Sequence, residues 1–352
     1  MDIMPGFTMT DMETSGARIR LRHAGSGPPL LLLHGNPLTH VSWHAAAPQL
    51  AQRFHVVAAD LRGYGDSSAP TEAPDHSNYS FRAMAQDQVE VMAALGYRRF
   101  SVAGHDRGGR TVHRMCLDHP DKVIKAAVLD IVPTLDMWAA MDKEGAIGGW
   151  HWPFMAQPAD SPERMLGSVP ADWFMRKKLL KLTANLNHIP SAIWNEYVRC
   201  FNDKTIRGSC GDYRAAATID CELDTADLHR KIGMPLLVLW GAQSSVGRRF
   251  ADPLEHWRRR AHDVRGEALP LVTTSMRRHQ DRSWIGSYAS SAARIICPNR
   301  RLSHLLRSAS CQRAAMCSAT MKAAGYAAVD AINGFGCGTN RPFLRSVEFL
   351  RN

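Results

Sequence analysis

The sequence lacks most of what would send it to a membrane, a secretory route or a nucleic acid. No apolar run approaches the roughly 20 residues that a bilayer-spanning helix needs. The first residues hold no basic start followed by an apolar core, so no signal peptide is expected. Eight cysteines in 352 residues follow neither a metal-ligand spacing nor a regular disulfide framework, which points to a reducing cytoplasm. No internal repeat is present. What remains is a chain with 45% hydrophobic residues, long enough to bury a sizeable core in one large domain or two smaller ones.

A net charge of +10 would ordinarily suggest a polyanionic partner, but its distribution argues otherwise. Residues 271–352 carry eleven arginines and one lysine against three acidic residues, and four of the eight cysteines. Residues 1–270 are nearly neutral, with 31 basic and 30 acidic side chains. The basic tail has no interleaved aromatic stripe and no nucleic-acid motif. Two compositional regimes therefore meet near Pro270.

Before that boundary the chain reads as strands alternating with helices. Residues 16–23, 28–33, 54–60, 100–103, 123–131 and 235–241 are strand-like runs. Residues 79–95 have apolar positions at helical spacing and stop at Gly96, and residues 251–262 form a second expected helix opened by Pro253. This alternation predicts an α/β fold: a mostly parallel sheet flanked by helices. Between about Pro133 and Ala226 strand-like runs are absent and the periodicity is helical, as for a cap inserted over the sheet. The expected division is residues 1–132 and 227–270 as two parts of one core, 133–226 as the helical cap, and 271–352 as an atypical basic segment. Ligands in such sheets bind at the carboxyl ends of the strands, where His34, Asp106 and Asp130 would emerge.

The stretch Ser101-Val-Ala-Gly-His-Asp-Arg-Gly-Gly-Arg110 contains Gly-x-Asp-x-Gly directly after a strand. This is the nucleophile-elbow pattern with aspartate in the place usually held by serine. Its glycines suit a sharp strand-to-helix turn. A carboxylate there attacks without prior deprotonation and forms an ester intermediate. Two arginines beside it, Arg107 and Arg110, fit a substrate that is itself an anion, since paired guanidiniums offset the like-charge repulsion and clamp a carboxylate.

These residues carry a family likeness. The chain resembles the haloacetate (fluoroacetate) dehalogenases of the α/β-hydrolase superfamily over roughly residues 8–270. The motifs are His34-Gly-Asn-Pro37, Asp60-Leu-Arg-Gly-Tyr-Gly-Asp-Ser67, Gly104-His-Asp-Arg-Gly-Gly-Arg110, Trp150-His-Trp152 and Asp212-Tyr-Arg-Ala215. The resemblance implies an α/β-hydrolase fold with an inserted cap, often in a homodimer. It implies that Asp106 displaces halide, Arg107 and Arg110 hold the substrate carboxylate, and His151, Trp152 and Tyr213 cradle the leaving halide. Asp130 would orient a histidine that activates water, and the backbone N–H groups of Asn36 and Arg107 would form the oxyanion hole. His34 reads as structural. The expected partners are a small haloacid and water, with no nucleic acid, membrane, metal or organic cofactor.

The family pattern departs after Pro270. The position expected to hold the catalytic histidine, about residue 273, is threonine. Charge, cysteine usage and family match all change at that point, as a shifted reading frame would produce. His279 is the candidate substitute base. Without a base, the chain would be alkylated once and stall, because hydrolysis of the ester needs one whereas attack by Asp106 does not. Two other readings stand beside haloacid hydrolysis: epoxide hydrolysis by the same aspartate, and an inactive member of the fold that binds small carboxylates or partners.

Overall fold

The computed structural model describes residues 2–180, 186–187 and 189–269. Threonine 273, His279 and the proposed frame change lie outside the described residues.

The described residues build one eight-stranded sheet in the order β1-β2-β4-β3-β5-β6-β7-β8. Its strands are β1 (Thr8–Glu13), β2 (Arg18–Ala24), β3 (Pro29–Leu33), β4 (His55–Ala59), β5 (Phe100–His105), β6 (Val123–Leu129), β7 (Leu236–Gly241) and β8 (Val264–Leu269). The β1–β2 and β2–β4 pairs are antiparallel, and every later pair is parallel. The apolar runs end up where physics demands. Leu30, Leu31, Leu32 and Leu33 are buried, as is the whole of β7, because strands covered on both faces have no polar side to show. The strand expected at 16–23 is the second in the chain. Its partner β1 reads Thr-Met-Thr-Asp-Met-Glu and lies at a solvated edge, so it lacks the apolar alternation that marks a half-buried strand.

Helix α1 (Ala47–Leu50) is a single turn, while α2 (Phe81–Ala94) and α3 (Arg107–Asp118) run between strands. The Ser80 hydroxyl caps α2 by accepting from the Ala83 N–H, and Gly96, at φ 88°, ends the segment in a conformation that glycine adopts without steric cost. Among the described residues the elements between β6 and β7 are all helices: α4 (Thr134–Ala139), α5 (Lys143–Gly148), α6 (His151–Met155), α7 (Ser161–Gly167), α8 (Ala171–Leu179), α9 (Ser191–Cys200), α10 (Asp203–Ala217) and α11 (Ile219–Ala226). After β7 come α12 (Ser245–Arg249) and α13 (Pro253–Arg258). The last is shorter than the 251–262 expected, and Pro253 stands in its first turn with the Asp252 carboxylate on the Leu254 N–H.

The inserted helices have their own apolar centre, formed by residues such as Trp152, Phe174, Trp194, Tyr197 and Tyr213, distinct from the cluster beneath the sheet. Their longest member, α10, is fastened to the core along its length. Lys204 donates to the carbonyls of Gly65 and Ser67, both at 2.7 Å. Arg214 grips Glu72 through Nε at 2.8 Å. Midway, Gly208 meets Gly63 backbone to backbone: a Cβ added to Gly63 would stand 2.8 Å from the Gly208 Cα, and one added to Gly208 would stand 2.4 Å from the Gly63 Cα. The whole is an α/β-hydrolase fold with an inserted helical cap.

Candidate active site

Asp106 sits between β5 and α3 with φ 48° and ψ −116°, a conformation that a non-glycine residue holds only when its surroundings impose it. The flanking glycines explain why the turn closes. A Cβ on Gly104 would stand 2.3 Å from the Gly108 carbonyl oxygen, and one on Gly108 would stand 2.5 Å from that of His34. With no side chain there, the Gly108 N–H donates to the His34 carbonyl at 2.8 Å. The end of β3 and the start of α3 are thereby locked together, and the Asn36 N–H donates to Asp106 Oδ2 at 3.0 Å. The carboxylate also lies at the positive end of a twelve-residue helix. Arg107 opens that helix, so its N–H belongs to the first turn, where no intrahelical acceptor exists. Of the two backbone groups expected as an oxyanion hole, the Asn36 N–H thus bonds Asp106 and the Arg107 N–H adjoins it in the chain.

The two elbow arginines are both buried but differ in their bonding. Arg107 turns its Nε and Nη2 edge to the cap, where Asp212 accepts from Nε at 2.8 Å, from Nη2 through Oδ1, and from Nη2 again through its backbone oxygen at 2.9 Å. Its Nη1 has no hydrogen-bond partner among the described residues. Burial opposes its charge most strongly, yet Asp212, Tyr213 and Tyr64 together outweigh that and raise its pKa. Among the described residues Arg110 has no carboxylate partner of this kind. Its Nη1 donates to the Val132 carbonyl at 3.0 Å and to Thr134 at 3.2 Å, and its Nε has no partner among the described residues. Burial lowers its pKa to about 10, with Asp106 acting in the opposite direction, so it stays protonated at neutral pH. Both arginines are thus partly engaged by the protein, Arg107 by a cap carboxylate and Arg110 by a carbonyl and a hydroxyl.

The three residues expected around a halide come together. His151 and Trp152, on α6, both lie edge-on to Tyr213 of α10, with ring centroids 5.7 and 5.6 Å apart. Arg110 lies 4.6 Å from the Trp152 ring and Arg107 4.2 Å from the Tyr213 ring. The Tyr213 hydroxyl is buried without a hydrogen-bond partner among the described residues. Burial, then the nearby Asp106 charge, push its pKa well above the ordinary tyrosine value, so it remains a phenol able to donate.

Asp130 follows β6 with φ 57°. Its Oδ1 accepts from the Ser244 hydroxyl at 2.5 Å and from the Gly241 N–H at 3.3 Å. The loop after β7, which brings no acid of its own, thus supplies donors to Asp130. His34 is fully buried, with Nδ1 on the Gly35 carbonyl at 3.0 Å and Nε2 accepting the Leu61 N–H at 3.1 Å. Burial lowers its pKa, and with both nitrogens occupied by backbone it is a structural residue.

Four residues at this site were not singled out by sequence reasoning. Asp212 and Tyr64 are joined by a 2.5 Å hydrogen bond from the tyrosine hydroxyl. The Asn36 side-chain amide donates to Tyr64 and Ser209, both at 3.3 Å, and its oxygen accepts from Lys178, a buried cap lysine. Asp212 and Tyr64 lay inside recognised motifs, but nothing local in those motifs revealed their partners. Lys178 stands among exposed lysines and arginines in sequence and carried no signal. Among the described residues no cluster of three or more histidine, cysteine or acidic side chains could hold a metal ion, and no helix is long and apolar enough to cross a membrane.

Residues 28–251 match the α/β-hydrolase fold family. A fluoroacetate dehalogenase from Burkholderia sp is 46% identical over 75% of this chain and 87% of that protein. A soluble epoxide hydrolase from Corynebacterium sp. (strain C12) is 31% identical over 72% of this chain and 86% of that protein. Among solved structures, an α/β hydrolase from Nostoc sp PCC 7120 superposes with a TM-score of 0.73 at 52% identity, covering 75% of this chain and 90% of its own.

Proposed function

The chain belongs to the α/β-hydrolase fold family as a hydrolytic enzyme related to both fluoroacetate dehalogenases and epoxide hydrolases, and from that premise we propose that it removes halide from haloacetate or another small 2-haloacid. One observation carries the reading. Beside Asp106 stand two buried guanidiniums, each with an N–H group, Arg107 Nη1 and Arg110 Nε, that no described protein atom accepts. Burying such donors unpaired is costly, and a substrate carboxylate would satisfy them.

In this reading Asp106 Oδ1 attacks the halogen-bearing carbon. The new C–O bond forms as the carbon–halogen bond breaks, and the halide departs with the bonding electron pair. The halide leaves toward Tyr213, Trp152 and His151, whose N–H and O–H groups stabilise the charge as it develops. Water then attacks Cγ of the ester, the charge on Oδ2 rests against the Asn36 N–H, and the hydroxy acid is released. The water proton must pass to a base. Asp130 would orient it, and His279 is the candidate in the segment outside the described residues. A cytoplasmic homodimer acting on the acid and water completes the reading.

Intact mass after incubation with chloroacetate, with chloride followed in the same sample, tests it. One substrate-derived group on Asp106 with one chloride per chain is expected if no base acts, and sustained chloride release if one does. Neither adduct nor chloride would overturn the reading. Epoxide hydrolysis is the second reading, favoured by the unpartnered Tyr213 hydroxyl, a donor equally suited to an opening epoxide oxygen. An uncharged epoxide that alkylates Asp106 faster than chloroacetate does would select it.

A further inference from the structure

Asp212 has no part in the steps above, yet the site is built around it. It is fully buried, stands on cap helix α10, and takes the Nε and Nη2 edge of Arg107 across the boundary between cap and core. Its Oδ2 also receives the Tyr64 hydroxyl at 2.5 Å. Tyr64 in turn receives the Asn36 amide at 3.3 Å, and the Asn36 backbone N–H holds Asp106.

We propose that Asp212 is a positioning residue: it holds the Arg107 fork so that Nη1 alone faces the substrate carboxylate, at a fixed height above Asp106. The guanidinium is planar and rigid, so fixing one edge fixes the direction of the remaining nitrogen. The Phe81 and Tyr213 rings, 4.7 and 4.2 Å from the guanidinium carbon, restrict any rotation about that edge. With three N–H groups committed to Asp212, Arg107 cannot take the substrate in a two-point fork. The acid is instead held by Nη1 of Arg107 together with Arg110, whose Nε has no partner among the described residues, which leaves its α-carbon toward Asp106. The inference rests on the haloacid reading.

A counter-charge alone would behave differently. Removing it would leave the site more cationic, tighten carboxylate binding and spare the reaction rate. The test measures the rate constant for Asp106 alkylation by chloroacetate, read by intact mass under single-turnover conditions, together with the affinity for acetate as an unreactive carboxylate. The full chain is compared with Asp212→Asn, Asp212→Glu and Tyr64→Phe. Asp212→Asn is expected to lower the rate constant about 100-fold, the order expected for a misplaced reacting group, with acetate bound as tightly as before or more so. Asp212→Glu keeps the charge but displaces it by one methylene, and should also slow alkylation. Tyr64→Phe should slow it about fivefold through one lost hydrogen bond. Wild-type rates in the Asp212 variants, or a loss of acetate affinity as large as the loss of rate, would overturn the proposal. If Asp212→Asn does not fold, Asp212→Glu and Tyr64→Phe decide by the same criteria. A wild-type chain inert to chloroacetate overturns the haloacid reading and this inference with it, whereas a reactive wild type with unslowed variants overturns the inference alone.

Discussion

The two walls of the site are made in different ways. On the core side, the geometry is a property of the backbone. Asp106 and the Asn36 N–H are held where β5 and β3 end, and a Cβ on Gly104 or Gly108 would strike a carbonyl oxygen. On the cap side, the geometry is a property of side chains. His151, Trp152, Tyr213 and Asp212 act through rings, hydroxyls and a carboxylate presented by α6 and α10. A wall made of backbone tolerates almost no change and would suit the proposed bond-making step, which is common to many substrates. A wall made of side chains can be altered residue by residue and suits the choice of substrate.

This contrast yields graded expectations. The largest break comes from the core: Asp106→Ala should abolish both adduct and chloride in the intact-mass assay while leaving the near-ultraviolet circular dichroism unchanged. Next is Gly108→Ala, whose new Cβ would lie 2.5 Å from the His34 oxygen. It should lower stability by about 3 kcal/mol in urea unfolding, at the upper end for overpacking. On the substrate side, Arg110→Met should raise the chloroacetate concentration needed for half-maximal alkylation about 10- to 100-fold, matching one lost charge-assisted hydrogen bond of about 1.5–3 kcal/mol.

Asp60, beneath the core wall, adds a pH signature. Burial would raise its pKa, but His40, in charge interaction and in hydrogen bonds, and His34 more than reverse this and lower it from 3.8 to about 2. A folded-state pKa below the unfolded value stabilises above the unfolded pKa and is lost as pH falls through the folded one. The contribution, on the order of 2 kcal/mol, should therefore fade between pH 3.8 and about 2. Urea midpoints measured across that range should fall more steeply in the wild type than in Asp60→Asn. The smallest effect belongs to the cap: an added Cβ on Gly148 would meet nothing within 4 Å, so Gly148→Ala should change stability by less than about 1 kcal/mol. A large effect there would blunt the distinction between the two walls.

The same distinction governs what could be read from the sequence. The inner strands and the elbow were legible because apolar runs bounded by glycine report local backbone demands. The stretch 133–226 was legible as helical from its periodicity. Edge strand β1 was not, because a solvated edge imposes no apolar pattern on Thr8–Glu13. Arg107 could be singled out beside Asp106, but its engagement by Asp212 could not. That pair is separated by 105 positions, and Tyr64 is 148 from Asp212, so only the fold makes them neighbours. Asn36 shows both sides at once: its backbone N–H donates to Asp106, while its side chain serves Tyr64, Ser209 and Lys178.

The bare contact between Gly63 and Gly208 sets the terms for redesign. Two backbones already at van der Waals distance leave no side chain to trim, so the span from α10 to the core behaves as a fixed gauge rather than an adjustable one. If the proposed haloacid reading holds, larger acids would be accommodated by resizing the rings on α6 or the apolar residues of α8 in the same cap cluster, with Tyr213 and Asp212 kept as the reference surface against which each new pocket is measured.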